Sequence, residues 1–551
     1  FTPKGENEEC GVRLTPKTSG ASLNAGQPVT ITIDFTGPIV DGMAGYYRVN
    51  YGVLGSDEPR LGAMTQFEAA YARRAFPCID EPSAKATFAL TLEVPATYST
   101  VLANMPSERD ETVNNDGTLY RRVKFGVTPR MSTYLLAWIV GEYDHVAAVT
   151  EGNGGVRFRV FTPQGAGKSG EFALRTGVLA LDYLAEFFGH DFPLPKQDMI
   201  AVREFAAGAM ENWGLITYRE SALLADKETS SSESLGRVSY VVAHELAHQW
   251  FGNLVSPSWW KQLWLNEGFA TIVGVMVVEA IYPEQQYMLN NFLVSDVTEA
   301  MRLDALVSSH PIEVDVSSVA EIGEIFDAIS YRKGGTVLRM CFERLGEPAV
   351  RAGLKDYLAR HAYANATTED LWECLSKASG VDVARDMDRW VKVTGYPLCR
   401  LSWDASAKKL RVQQQRFFSD ARAYGNAETD DGQPWRFALP VVLPGGTTES
   451  LFVTEKDQTF DLPACPIVAN DGYATMTRCL YDEETMPVYT NAAELAKLQP
   501  STLLSLVSDA FRLAQAELLP VPRALDLVQS LVGTQEYSVL RTEITCFSET
   551  V

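Results

Sequence analysis

The sequence predicts a multidomain α+β protein: a β-rich N-terminal domain, a mainly helical central domain, a small β-sandwich and the start of an all-α region. Two observations carry this. At 551 residues the chain is long enough for three or four domains, each with its own core. The apolar pattern changes period along the chain, from alternation typical of strands to helical spacing, then back, then to helical again.

Taken in order, "QPVTITIDF", "ATFALTLEVP", "STVLANM", "LYRRVKFGV" and "STYLLAWIV" read as strands, and "VRFRVF" follows the turn "TEGNGG". These assign residues 1–161 to the β-rich domain. Residues 162–397 are mainly helical in pattern. Short strands return over 398–485 with "LCRLSWD", "KLRVQQQRF", "FALPVVLPG" and "ESLFVTE". From 486 to 551 the pattern is helical, led by "STLLSLVSDAFRLAQAEL". There is no internal repeat and no low-complexity tract.

Composition narrows the function classes. A net charge of −22 argues against nucleic acid or an anionic membrane surface as a partner. The longest apolar run, "FATIVGVMVV", is stopped by Glu279, short of the 18 or so residues a membrane span needs, so no membrane insertion is expected. "FTPKGENEEC" has neither a basic start nor an apolar stretch and does not read as a signal peptide. The eight cysteines are scattered without metal or disulfide-framework spacing, which fits reduced core residues. With a lone glycosylation pattern at Asn365, these features make a cytoplasmic location the expectation.

The informative segment is "AHELAHQW" (243–250), which uses two of only six histidines. A random H-E-x-x-H is expected roughly a few times in a thousand such chains. The surrounding "SLGRVSYVVAHELAHQWFGNLV" has helical apolar spacing and no proline. His244 and His248, four apart, therefore share one helix face and can aim at one point. Imidazole suits zinc. Glu245 is turned about 100° from them, close enough to take a proton from an attacking water. A catalytic zinc site needs a third protein ligand and an open fourth position. Glu267, in "LWLNEGFA", lies 19 residues beyond His248 on what reads as a second apolar helix. By itself it reads equally as a first-turn acid favoured by the helix dipole.

Together "VVAHELAHQWFGNLV" and "LWLNEGFA" resemble the zinc aminopeptidases of the aminopeptidase N and puromycin-sensitive type. Three further stretches are similar to that family in the same order: "TQFEAAYARRAFPCIDEP" (65–82), "GAMENWGLITYRE" (208–220) and "FDAISYRKGGTVLRM" (326–340). The resemblance runs from "GYYRVNY" (45–51) to "VTGYPL" (393–398). It implies a β saddle, a thermolysin-like catalytic domain, a β-sandwich and a long helical domain. By that standard the chain is expected to be truncated at both ends.

The resemblance also implies roles. His244, His248 and Glu267 would hold one Zn2+ per chain, with Glu245 as general base and Tyr331 as oxyanion donor. Glu211 and Glu68 would bind the free ammonium of a peptide, Gln66 would line the pocket for the first side chain, and Gly208, Ala209, Met210 and Asn212 would complete the substrate edge. The expected activity is removal of the N-terminal residue from peptides that carry a free N-terminus. The alternatives are an epoxide hydrolase resembling leukotriene hydrolase, where Gly-Gly-Met-Glu-Asn would replace "GAMEN", and a thermolysin-like endopeptidase. One departure stands out. The family commonly has proline two residues before the phenylalanine of "AVREFAAGAMEN", where this chain has Arg203, followed by Glu204.

Overall fold

The computed structural model describes residues 26–54, 56–283, 288–424 and 431–550, together with the short antiparallel pair Thr2–Pro3 and Cys10–Gly11. The segment read as a non-signal N-terminus, and the Cys10 side chain, lie outside the described residues.

The N-terminal part is built from two antiparallel sheets. One has four strands: β1 (Gly45–Val53), β2 (Ser56–Gln66), then Trp138–Gly141 and Thr100–Ala103. Strand β1 pairs with β2 from Gly45 opposite Gln66 to Val53 opposite Ser56. Thr91–Pro95, Thr118–Phe125 and Ser107–Asn115 form the second sheet. "QPVTITIDF" is corrected here: no strand forms over it. Val29, Ile31, Ile33 and Phe35 alternate as a strand should, yet all are about half exposed. Alternation makes a strand only when one face is buried and a neighbour takes the backbone hydrogen bonds, and no described residue does either. "ATFALTLEVP" shortens to Thr91–Pro95, and "STYLLAWIV" divides into a 3-10 turn at Thr133–Leu135 and the strand Trp138–Gly141.

A five-stranded mixed sheet follows: β3 (Asp144–Val149), β4 (Arg157–Thr162), β5 (Lys196–Val202), β7 (Leu215–Arg219) and the edge strand β6 (Ala209–Met210), in that spatial order. β4, read as a strand at the end of residues 1–161, runs parallel to β5 and so shares a sheet with strands of the stretch that follows.

Helix α1 (Glu171–Phe188) packs beside α2 (Ser232–Ala247) and α3 (Trp264–Ile281). Ser231 caps α2, its side chain accepting the Ser234 N–H at 3.1 Å. Gly274 lets α2 and α3 approach closely, since a Cβ there would lie 3.2 Å from the His244 backbone nitrogen. α3 also corrects the sequence reading of hydrophobicity. The Trp260–Ile281 stretch, with mean hydropathy 1.4, is long and apolar enough to cross a membrane by composition alone, but 78% of its window is buried in the protein. A helix covered on every side is apolar on every side.

Residues 397–481 form a four-stranded and a three-stranded sheet, and helices Pro500–Gln515, Val521–Ser530 and Tyr537–Thr550 end the chain. None of the seven described cysteines is in a disulfide. Arg339 on helix Gly334–Leu345 donates to the Tyr473 and Gly472 carbonyls, and Arg478 pairs with Asp509 at 3.0 Å. Buried charge thus links the central part, the sheets and the last helices.

Candidate active site

α2 carries His244 and ends at Ala247, with His248 in the next, still helical position, so the two rings stay on one face, 4.7 Å apart between centroids. Glu267 lies in the first turn of α3. The Nε2 atoms of the two histidines are 3.1 Å apart, and Glu267 Oε2 is 3.5 Å from one and 3.4 Å from the other. Tetrahedral ligands about 2.05 Å from one ion would be spaced about 3.3 Å. The donor set fits zinc in type and spacing. Glu267 Oε2 is buried without a hydrogen-bond partner in the protein, as a ligand atom awaiting an ion would be. A looser trio, Glu211, Glu245 and His248, could also surround an ion. There Glu211 is already held by Asn266, whose amide donates to its Oε1 at 3.0 Å.

The tautomer of His248 follows from its other nitrogen. Nδ1 faces Asn266 Oδ1 at 2.5 Å and the Phe251 carbonyl at 3.2 Å, both acceptors, which places the proton on Nδ1 and leaves the Nε2 lone pair free. Sequence reasoning missed Asn266 together with Gln249 and Asn253. The Gln249 and Asn253 amides donate to the Glu211 carbonyl at 3.2 and 2.8 Å, and Gln249 also donates to the Glu245 carbonyl at 2.9 Å. Their signal was available: each is an amide inside or next to "HELAHQWFGN" or "LNEG", where a buried polar residue needs a partner.

A cavity of about 780 Å³ opens over these groups, lined by His244, Glu245, His248, Glu267, Tyr331, Glu211, Glu68, Gln66, Gly208 and Ala209. Met210 and Asn212 do not line it. Side chains alternate along β6 and its continuation, which turns Ala209 and Glu211 to the cavity and buries Met210 and Asn212; the Asn212 amide reaches Thr217 instead. Tyr71, Asp296, Glu299, Phe326 and Arg332 also face the cavity, unanticipated from sequence.

Four carboxylates converge here. Burial pushes Glu68 and Glu245 well above the usual carboxylate range and raises Glu211, and neighbouring carboxylates add to the rise at each. Glu267 goes the other way, to about 2: burial opposes its ionisation, but the His248 and His244 rings outweigh it. Tyr331 sits in the π-helical turn Ile329–Lys333, which Asp327 starts by accepting the Ile329 and Ser330 N–H groups. Burial and the nearby Glu267 carboxylate keep its phenol protonated, hence a donor. Its ring lies parallel to His244 at 6.4 Å.

Comparison with known proteins identifies this arrangement. Residues 6–135 match the Peptidase M1 N-terminal domain and residues 172–390 match the Peptidase family M1 domain. The chain belongs to peptidase family M1. This M1 chain is 41% identical over 530 residues to Aminopeptidase M1 of Arabidopsis thaliana, covering 93% of the chain and 58% of that protein. It is 39% identical over 522 residues to Puromycin-sensitive aminopeptidase of Caenorhabditis elegans (93% and 54%). It is 39% identical over 541 residues to Alanine/arginine aminopeptidase of Saccharomyces cerevisiae (97% and 61%). The M1 chain thus spans somewhat more than half the length of these curated relatives. The match to the N-terminal model ends before β3 and the catalytic model begins within α1, so β3 and β4 lie between the two matches while β5, β6 and β7 fall inside the second.

Proposed function

We propose that this chain is a zinc aminopeptidase that hydrolyses the first residue from peptides bearing a free N-terminus. The finer architecture belongs to the same reading: a β saddle, a thermolysin-like catalytic domain, a β-sandwich and a first portion of a helical domain. The names of the relatives agree with it. The observation that carries it is the position of Glu211, buried, and Glu68, half-buried, from different elements, in the same cavity as the His244, His248 and Glu267 cluster.

Charge balance explains why. Glu68, Glu211, Glu245 and Glu267 stand with the two imidazoles in this cavity, which Asp296, Glu299, Asp327 and Arg332 also line. A divalent ion and one α-ammonium would supply three positive charges against four negative, whereas an internal peptide segment would bring only a neutral amide and leave two acids unpaired. An endopeptidase has no use for that pair.

His244, His248 and Glu267 would hold the ion, which when bound polarises a water and the scissile carbonyl. Glu245 Oε2, buried without a partner, would take the proton from the attacking water and pass it to the leaving amine. The Tyr331 hydroxyl would donate to the developing oxyanion. Glu211 and Glu68 would fix the ammonium, Gln66 would line the first side-chain pocket, and the edge strand would flank the extended peptide. A Cβ at Gly208 would meet nothing within 4 Å, so that wall stays open for backbone approach.

The test compares a free-amine peptide with its N-acetyl twin, with and without chelator, on zinc-loaded protein. Only the free amine should be cleaved, and only with metal. Equal cleavage of both would transfer the assignment to an endopeptidase.

A further inference from the structure

We propose that Glu204 and Asn50 form a clamp that positions the two halves of the ammonium site relative to each other; this deepens the aminopeptidase reading above and rests on it. Glu204 Oε2 accepts the Asn50 backbone N–H at 3.0 Å, and Oε1 accepts the Asn50 side-chain amide at 2.7 Å. The Glu204 carbonyl accepts the Tyr47 hydroxyl at 3.1 Å. Three hydrogen bonds therefore join one residue of loop 203–208 to one strand, β1.

The location gives the clamp its purpose. Strand β1 is paired along its length with β2, which ends at Gln66, two residues before Glu68. Loop 203–208 runs directly into β6 and Glu211. The two carboxylates thus stand just beyond strands of separate sheets, which meet through one isolated backbone bridge, the Leu54 N–H donating to the Gln164 carbonyl at 2.9 Å at the far end of β1. Glu204 spans the gap. Arg203 packs beside it: the guanidinium lies against Gly52 of β1, where a Cβ would come 2.2 Å from Nη2 and would push the side chain aside. On the far side Arg219 Nη2 donates to the Phe205 and Ala206 carbonyls, both at 2.8 Å, and the Arg219 N–H donates to the Gly208 carbonyl at 2.9 Å. A loop held at both ends transmits the position of β1 to Gly208, Ala209 and Glu211. The Arg203–Glu204 pair that set this sequence apart from its family is, in the fold, an anchor.

Glu204 and Asn50 touch no substrate in this scheme; they are positioning residues. Glu204→Ala removes the clamp, and Asn50→Asp sets two carboxylates against each other. The double variant Asn50→Asp with Glu204→Gln restores a donor–acceptor pair with the charge on the opposite partner. On zinc-loaded protein and a free-amine dipeptide amide, each single variant should raise KM about tenfold, the scale of one charge-assisted hydrogen bond, with kcat within about twofold. The double variant should return KM to within about threefold of wild type. Amide hydrogen exchange over residues 205–210 should quicken in the single variants and slow again in the double. An unchanged KM in Glu204→Ala, or a double variant no better than the singles, would overturn the proposal. The exchange arm needs no activity: unchanged exchange in Glu204→Ala overturns the clamp even if the wild type proves inert toward peptides, a result that would sink the aminopeptidase reading alone.

Discussion

Asn266 holds two parts of the site at once, so removing it should cost both metal and substrate. Its Oδ1 is 2.5 Å from His248 Nδ1 and its Nδ2 is 3.0 Å from Glu211 Oε1, and the residue is only 1% exposed. Asn266→Ala leaves His248 Nδ1 with the longer contact to the Phe251 carbonyl and leaves the Glu211 carboxylate without that amide. Loss of an outer partner of a ligating histidine typically costs 10- to 100-fold in metal affinity. Loss of a hydrogen bond to a charged group costs about 1.5–3 kcal/mol, roughly ten- to a hundredfold in affinity for the ammonium. Asn266→Asp separates the two effects. It keeps an acceptor for His248 but faces Glu211 with a second carboxylate, so zinc should bind nearly as in wild type while peptide binding still suffers. Competition with a metal-buffering chelator reads the first quantity, and KM for a free-amine peptide reads the second. Wild-type zinc affinity and wild-type KM in Asn266→Ala would refute the argument.

Glu245→Gln should retain zinc and lose nearly all turnover, because the residue moves a proton and does not ligate; an apo protein by elemental analysis would contradict this. Tyr331→Phe should lower kcat by about 10²–10³ with little change in KM, the usual cost of one oxyanion donor, and a change confined to KM would count against it. Lys333 and Asp304 pair at 2.8 Å with both side chains wholly buried, so Lys333→Met should destabilise by about 3–5 kcal/mol in urea unfolding. His310 is raised above its ordinary value, chiefly by its hydrogen bond to Asp327, so the pair stabilises the fold below about pH 6.5 and the contribution fades as pH rises through the folded value. Since both side chains are about a third exposed, His310→Gln should remove about 0.5 kcal/mol or less of that slope, read as Tm against pH.

Much of the site was legible because its chemistry is local in sequence. His244, Glu245 and His248 fall on one helical stretch, and helical periodicity alone puts the two rings together. Glu267 was a candidate from the need for a third ligand downstream of that helix, and Tyr331 was reachable only through resemblance, since no spacing rule brings a π-helical turn onto α2. What misled were patterns whose meaning depends on neighbours. Val29 to Phe35 alternate without a partner strand among the described residues, and Met210 and Asn212 lie inside a motif but on the side turned away from the cavity. The amides of Gln249, Asn253 and Asn266 lie inside the motifs yet were passed over for a related reason: a side-chain amide declares which group it holds only once its partner is in place.

These amides and the Glu204 anchor follow one logic. The carboxylates assembled here repel one another, and burial raises Glu68, Glu211 and Glu245 together. Acids that must stay poised for two cations cannot be neutralised by lysine or arginine without competing with those cations. Neutral donors are the alternative. Asn266 holds the Glu211 side chain, and Gln249 and Asn253 hold its backbone, with no positive charge added. Away from Glu211 charged pairs are admitted: Arg332 with Asp296 and His310 with Asp327 at the cavity wall, and the wholly buried Lys333 with Asp304. Neutral amides at the acid that would meet the peptide terminus, and ion pairs elsewhere, are what a site built to receive its positive charge from zinc and that terminus would require.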